Sequence, residues 1–420
     1  MLQTLFRFDA SQLLSRLVAA LLCAALLAGC AVNTPNAQTG SLAPEAKPES
    51  QRQAVKVALL VPLSAQGQTG LIGKNLKQAA ELALFERDNP NLQLMIKDDK
   101  GTPEGAAAAA EDALKNGATL ILGPLFAKSV SAVAPVARKA GVPVIAFSND
   151  RQVAGSGVYL LSFQPGPEVE RIVAFAARQG KRRYAALVPQ DTLGKAVEPV
   201  FQNAASRSGG TIVAMETYPA SANGILEPLR KLGAAITAAE AEGAPIDALF
   251  IPGGQENLEL LGRLLPQAQI NTQQVKLIGT GGLDYPNAGR DAGLVGAWYP
   301  GPDPRGWTDF AQRFAKSYGH APPRIATLAY DGMNLAIALT GSNDAQGYSA
   351  AMITRPGGFA GVDGAYRLLP DGTAERSLAI LEVQRFAPNV IEPAPALPNA
   401  TSPPTAVSSS GLNLFNLAGQ

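Results

Sequence analysis

The chain predicts an α/β protein built from two Rossmann-like lobes, each a parallel sheet flanked by helices, the two joined by a hinge. Three observations carry this reading. From residue 55 onward, short β-branched or leucine-rich runs alternate with stretches of helical period. The alternation reaches about residue 162 and then restarts. With 420 residues and 46% hydrophobic side chains, the chain can fill two ordinary cores, and at 16% charged residues it is too apolar for a disordered protein.

Residues 55–61 (VKVALLV) read as a buried strand. The helix over 70–86 spaces Leu71, Leu76, Ala79, Ala80, Ala83 and Leu84 near helical period, and Pro90 ends it. Strand 92–96, alanine-rich helix 106–114, strand 120–122, helix 130–140 and strand 144–147 follow, with a fifth strand over 158–162. The second series runs through helix 169–178, strand 184–188, helix 197–206, strand 212–216, helix 226–241, strand 248–251, helix 258–265 and strand 275–278. In open parallel sheets the crevice lies beyond the carboxyl ends of the strands, so the loops there matter most. They are 62–69, 98–103, 123–128, 148–151, 190–193, 253–255 and 280–285, all polar or glycine-rich. Facing lobes would bring them to one cleft, closed by rotation about the crossing segments.

The ends differ from this middle. Arg7 and Arg16 precede the apolar run 17–27, and Leu27-Ala28-Gly29-Cys30 closes it, the pattern of a secretory signal with a processing site. The four residues resemble a bacterial lipobox, which implies a lipidated Cys30 and a membrane contact through lipid. Cleavage there discards Cys23 and leaves no cysteine pair for a disulfide or metal site. The chain has 35 Lys and Arg against 34 Asp and Glu, and loss of Arg7, Arg16 and Asp9 with the signal balances them, so no basic excess favours nucleic acid. Residues 30–53 read as a polar tether, and 387–420, with six prolines and a serine run, as a disordered tail.

Few residues invite catalysis. His320, the only histidine, sits in a helix-ending turn, and no Gly-x-Ser-x-Gly elbow occurs. Scattered aspartates give no metal-ligand spacing, and no cofactor motif is present. Gly73-Lys74 resembles the end of a phosphate loop, but Gln68 and Asn75 occupy the places of its glycine and hydroxyl residue. Asp98-Asp99 reads as a solvated turn, since adjacent side chains on an extended segment point apart. Ser64, Gln66 and Thr69 flank Gly67 and Gly70 at a helix start whose free N–H groups suit a carboxylate, although turn and capping chemistry explains them equally well. Gln190 and Thr192, or Asp284 and Tyr285, could supply the cation-binding side from the second lobe, with Asp191 favoured as a helix cap. The segment 298–307 concentrates Trp298, Tyr299, Arg305 and Trp307 in what reads as an exposed turn on the first lobe, either a protein-binding patch or a pair of packed tryptophans.

Taken in order, several segments resemble the type I periplasmic solute-binding proteins of the branched-chain amino-acid kind. They are 57–64 (VALLVPLS) with Gly67, Gly70 and Gly73; 97–104 (KDDKGTPE); Ile121-Leu122-Gly123-Pro124 with Ser129; 142–148 (VPVIAFS); Ala329-Tyr330-Asp331-Gly332; and 358–364 (GFAGVDG). The resemblance spans about 54 to 386 and implies lobe 1 over 54–161 and 283–362 and lobe 2 over 162–282 and 363–386. It implies that Leu125, Phe126, Ala127, Ser148 and Asn149 bind a ligand's carboxylate and ammonium through backbone groups and hydroxyls. It further implies a non-enzymatic protein presenting a small polar ligand, such as an amino acid, to an ABC permease. An outer-membrane branch, the penicillin-binding protein activators, looks closest through the lipobox, the tether and Ala31 after the cysteine, and implies a penicillin-binding protein as partner in peptidoglycan synthesis. A carboxylate-dependent exported hydrolase is the weakest alternative.

Overall fold

The computed structural model describes residues 54–87, 89, 91–219, 224–285, 287–340 and 347–397. The lipobox with Cys30, the tether, Pro90 and residues 398–420 lie outside the described residues. The described residues form one compact unit.

Its first series is β1 (Val55–Val61), α1 (Gly67–Arg87), β2 (Leu92–Asp98), α2 (Pro103–Lys115), β3 (Ala118–Leu122), α3 (Ala127–Ala140), β4 (Val144–Ala146) and β5 (Val158–Leu160). The strands pair in parallel in the order β2-β1-β3-β4-β5. That order is the doubly wound arrangement expected of right-handed crossovers. β1 is an interior strand, paired with β2 and β3, so five of its seven residues are buried and Val57–Val61 reads as an unbroken apolar run.

The second series is α4 (Pro165–Arg178), β6 (Arg183–Pro189), α5 (Thr192–Arg207), β7 (Thr211–Tyr218), α6 (Leu226–Ala241), β8 (Ala248–Phe250), α7 (Gln255–Leu264), β9 (Lys276–Ile278) and β10 (Trp298–Gly301). Then come α8 (Pro304–Tyr318), α9 (Ala326–Thr340), α10 (Ala350–Ile353) and β11 (Tyr366–Leu368), β12 (Ala374–Arg376), β13 (Ala379–Glu382), β14 (Asn389–Glu392). The second sheet runs β14-β13-β10-β9-β8-β6-β7, parallel from β10 to β7 and antiparallel at β13 and β14. Phe201 stacks on Phe250 at 4.3 Å in its core.

Three expectations need correction. The chain leaves lobe 1 between Leu160 and Pro165, but it returns between Gly301 and Pro304, not at 282/283, because β10 belongs to the second sheet. It leaves again between Arg376 and Ala379, not at 362/363, because Tyr366, Leu368 and Ala374 of the β11–β12 hairpin enter the lobe 1 core with α9. Residues 389–392, read as tail, form an edge strand whose Glu392 meets Arg171 at 2.6 Å and Arg178 at 2.8 Å.

The tryptophan segment is likewise no exposed turn. β10 buries Tyr299, while Trp298 packs edge-on against Phe175 and donates to Glu382 at 2.9 Å. Trp307 lies half-buried against the lobe 1 core. Pro300 is tolerated inside a strand because β9 pairs with β10 only at Trp298, leaving that edge free beyond it.

Candidate functional site

At the crossings, segments from both lobes enclose a cavity of about 260 Å³. Its wall is largely apolar, from Phe163, Pro167, Pro300, Pro302, Ala374 and Leu378. Four charged side chains interrupt it: Glu168, Asp284, Arg324 and Arg376.

Arg376 ends β12, and its side chain is 5% exposed. Its guanidinium lies between the rings of Phe163, at 5.1 Å, and Tyr366, at 5.2 Å. Nη1 is 3.8 Å from Asp331 Oδ2, and Nε and Nη2 have no hydrogen-bond partner. Gln164 Nε2, on the same cavity, is also buried without an acceptor. Buried donors are costly to leave unpaired, so these two call for an acceptor at the cavity wall, a water or a ligand atom. Asp331 itself is pushed up to about 7 by burial, against Arg376 and helped by Asp363.

Glu168 stands in the first turn of α4, where Oε2 accepts from the Gly281 amide at 2.9 Å. It forms no ion pair among the described residues. Burial, opposed by that hydrogen bond and joined by Asp284, pushes its carboxyl up to about 7. Arg324 places Nη1 3.2 Å from Asp284 Oδ2 and Nη2 2.8 Å from Asp363 Oδ1, the latter out of hydrogen-bond alignment, and lies over Trp307 at 4.9 Å.

Of the individual ligand-binding candidates named from the sequence, Asp284 alone lines this cavity, together with Gly281 and Gly282 of its loop and Pro300, Gly301 and Pro302 of the tryptophan segment. It accepts from Tyr299 Oη at 3.4 Å, and burial raises its carboxyl despite Arg324. Ser64 and Gln66 are exposed on the first strand-end loop, where Ser64 N donates to Asp98 at 3.2 Å. Leu125 packs on the lobe 1 core, Phe126 is exposed beside Gly101, and Ala127 opens α3. Ser148 is buried with Oγ accepting from the Asp150 amide at 3.2 Å, and Asn149 is exposed. Gln190 donates to Thr217 at 2.8 Å, Thr192 opens α5, and Asp191 caps that helix through the Gly194 amide at 2.9 Å. Asp99 is no solvated turn residue: it is fully buried, accepts from the Gly101 amide at 2.8 Å, and is pushed up to about 6 by burial.

Sequence reasoning missed Phe163, Gln164, Glu168, Arg324 and Arg376, because Phe163, Gln164 and Arg376 lie at crossings, Glu168 stands in the first turn of α4 and Arg324 just before α9, none of them on the strand-end loops singled out above. Among the described residues no group of His, Cys, Asp and Glu could hold a metal ion, and no helix is long and apolar enough to cross a membrane.

Two α/β lobes crossed by three segments, with a lined cavity at the crossings, define a binding protein of the bilobal periplasmic class. Residues 54–387 match the family profile described as periplasmic binding protein, and the chain belongs to that family, one of binders and not catalysts. Its fold is similar to a putative branched-chain amino acid ABC transporter protein from Rhodospirillum rubrum, at 19% identity and TM-score 0.69, covering 80% of this chain and all of that one. A Streptococcus pneumoniae branched-chain amino acid transporter substrate binding protein in complex with isoleucine is 18% identical, TM-score 0.56, covering 81% of this chain and all of that one. A Rhodopseudomonas palustris solute binding protein in complex with benzoate is 17% identical, TM-score 0.56, covering 82% of this chain and 98% of that one. An uncharacterized protein of Rickettsia prowazekii is 22% identical over 238 residues, 56% of this chain, and the match spans 62% of that relative's length.

Proposed function

We propose that this protein captures a small amino-acid-type solute between its lobes in the periplasm and presents it to an ABC permease. The observation that carries the reading is the pairing of unpartnered donors on Arg376 and Gln164 with a carboxylate, Glu168, that has no cation, all on one interlobe cavity. A zwitterion supplies both missing partners: its carboxylate meets the donors and its ammonium meets Glu168. The apolar wall suits an aliphatic or aromatic side chain. The similar structures holding isoleucine and benzoate, both carboxylates, agree with this chemistry. The lipobox ending at Cys30 supports an anchored form, with the outer membrane favoured by Ala31.

Calorimetric titration with the proteinogenic amino acids, and with benzoate, tests it. Arg376→Gln should weaken the best binder at least about tenfold, the cost of one hydrogen bond to a charged group. Ser148→Ala should change it less than about twofold, since Ser148 is off the cavity. The reverse pattern would put the solute on the strand-end loops. No binding by any of them would sink solute capture and favour the activator role, in which the same lobes dock a penicillin-binding protein.

A further inference from the structure

Among the described residues, Arg324–Asp284 is the one ion pair that runs between the lobes. Every other pair closes within a lobe, apart from Arg305–Asp303, which sits where the second crossing enters lobe 1. Both ends are held in place before they meet. In lobe 1, Arg324 is fixed by Asp363, which is fully buried and itself accepts from Thr327 Oγ1, and by the face of Trp307. In lobe 2, Asp284 follows the short turn Gly281–Leu283 and is fixed by Tyr299 Oη. The two side chains are 30% and 25% exposed, so the contact is neither sealed in the core nor free in water.

We propose that Arg324 and Asp284 form the latch that holds the lobes over the cavity, acting as positioning residues for solute capture. This rests on the reading that the lobes close around a solute. Rotation about the three crossings separates Arg324 from Asp284 while leaving Arg324 on Asp363 and Trp307, so opening breaks one charged contact and spares the rest. Partial exposure makes that contact sensitive to salt. Opening is therefore easy to reach and easy to reverse, as a capture step requires.

Hydrogen exchange read by mass spectrometry on the full chain, without ligand, tests this. Asp284→Asn keeps the shape and removes the charge. Peptides covering 162–168, 281–284 and 374–378 should exchange about two- to fivefold faster, the range for a partly exposed ion pair, with β1 and β6 unchanged. High salt should produce a similar rise in the unaltered chain. Arg324→Gln should raise exchange in the same peptides, and the double variant should add nothing to Asp284→Asn there. Unchanged exchange in Asp284→Asn, additive effects, or a rise spread through β1 and β6 would each overturn the latch. No solute enters this measurement, so its failure leaves the calorimetric test of solute capture standing.

Discussion

Replacing Glu168 by Gln should make the protein more stable and worse at binding. Glu168 gives the cavity its unpaired carboxylate, and burial pushes it from an ordinary value of 4.5 up to about 7. Because the folded-state value lies above the unfolded one, the folded protein holds the proton through the window between those two values. Stability from this group is therefore present at low pH and falls as pH rises through the window. At about 1.4 kcal/mol for each pH unit between the two values, the easier ionisation of Glu168 in the unfolded chain lowers stability by roughly 3 kcal/mol at pH 8 and roughly 1 kcal/mol at pH 5. Gln keeps the acceptor for the Gly281 amide and cannot ionise. The stability difference between Glu168→Gln and the unaltered protein, read from urea denaturation, should thus grow by about 2 kcal/mol in the variant's favour from pH 5 to pH 8. Asp331 titrates in both proteins and cancels. A pH-independent difference, or a variant that loses ground as pH rises, would refute the reasoning. Amino-acid affinity should fall in the same variant, since the ammonium loses its counter-charge, the trade-off expected where a binding group is held under strain.

Two further outcomes are expected. Glu392→Gln removes the carboxylate that Arg171 and Arg178 share, so β14 amides should exchange about fivefold faster, a cost of about 1 kcal/mol, while β13 stays protected; equal protection of β14 would show that backbone pairing alone holds the strand. Expression in a bacterium with lipoprotein processing should yield an N-terminal peptide beginning at acylated Cys30, read by mass spectrometry, and Cys30→Ser should abolish it; an unmodified cysteine would refute the anchor.

The order of strands and helices was legible because it rests on local periodicity. Val57–Val61 is apolar on both faces and lies in an interior strand of its sheet, and the bounds of α6 follow from its pattern alone. Asp191 as a helix cap was equally local, needing only an aspartate three residues before Gly194. What misled was context. Trp298–Gly301 carries the proline and glycine of a turn, yet pairing on both sides at Trp298 makes it a strand and moves a lobe boundary by some twenty residues. Residues 389–392 lack an apolar pattern strong enough to announce a strand, and it is two distant arginines on α4 that hold them.

The site divides the same way. Strand-end loops can be found from sequence because each follows its own strand, and Ser64, Phe126, Ser148 and Gln190 were found so. The cavity is assembled from residues more than two hundred positions apart, such as Glu168 and Arg376, and no spacing rule connects them. The sequence by itself determined the α/β class, the two lobes and the caps, since these follow from the periods of strands and helices and from short-range hydrogen bonds. Only the tertiary structure decided where the chain crosses between lobes and which buried charges share a cavity, because burial and electrostatics depend on distance in space and not along the chain.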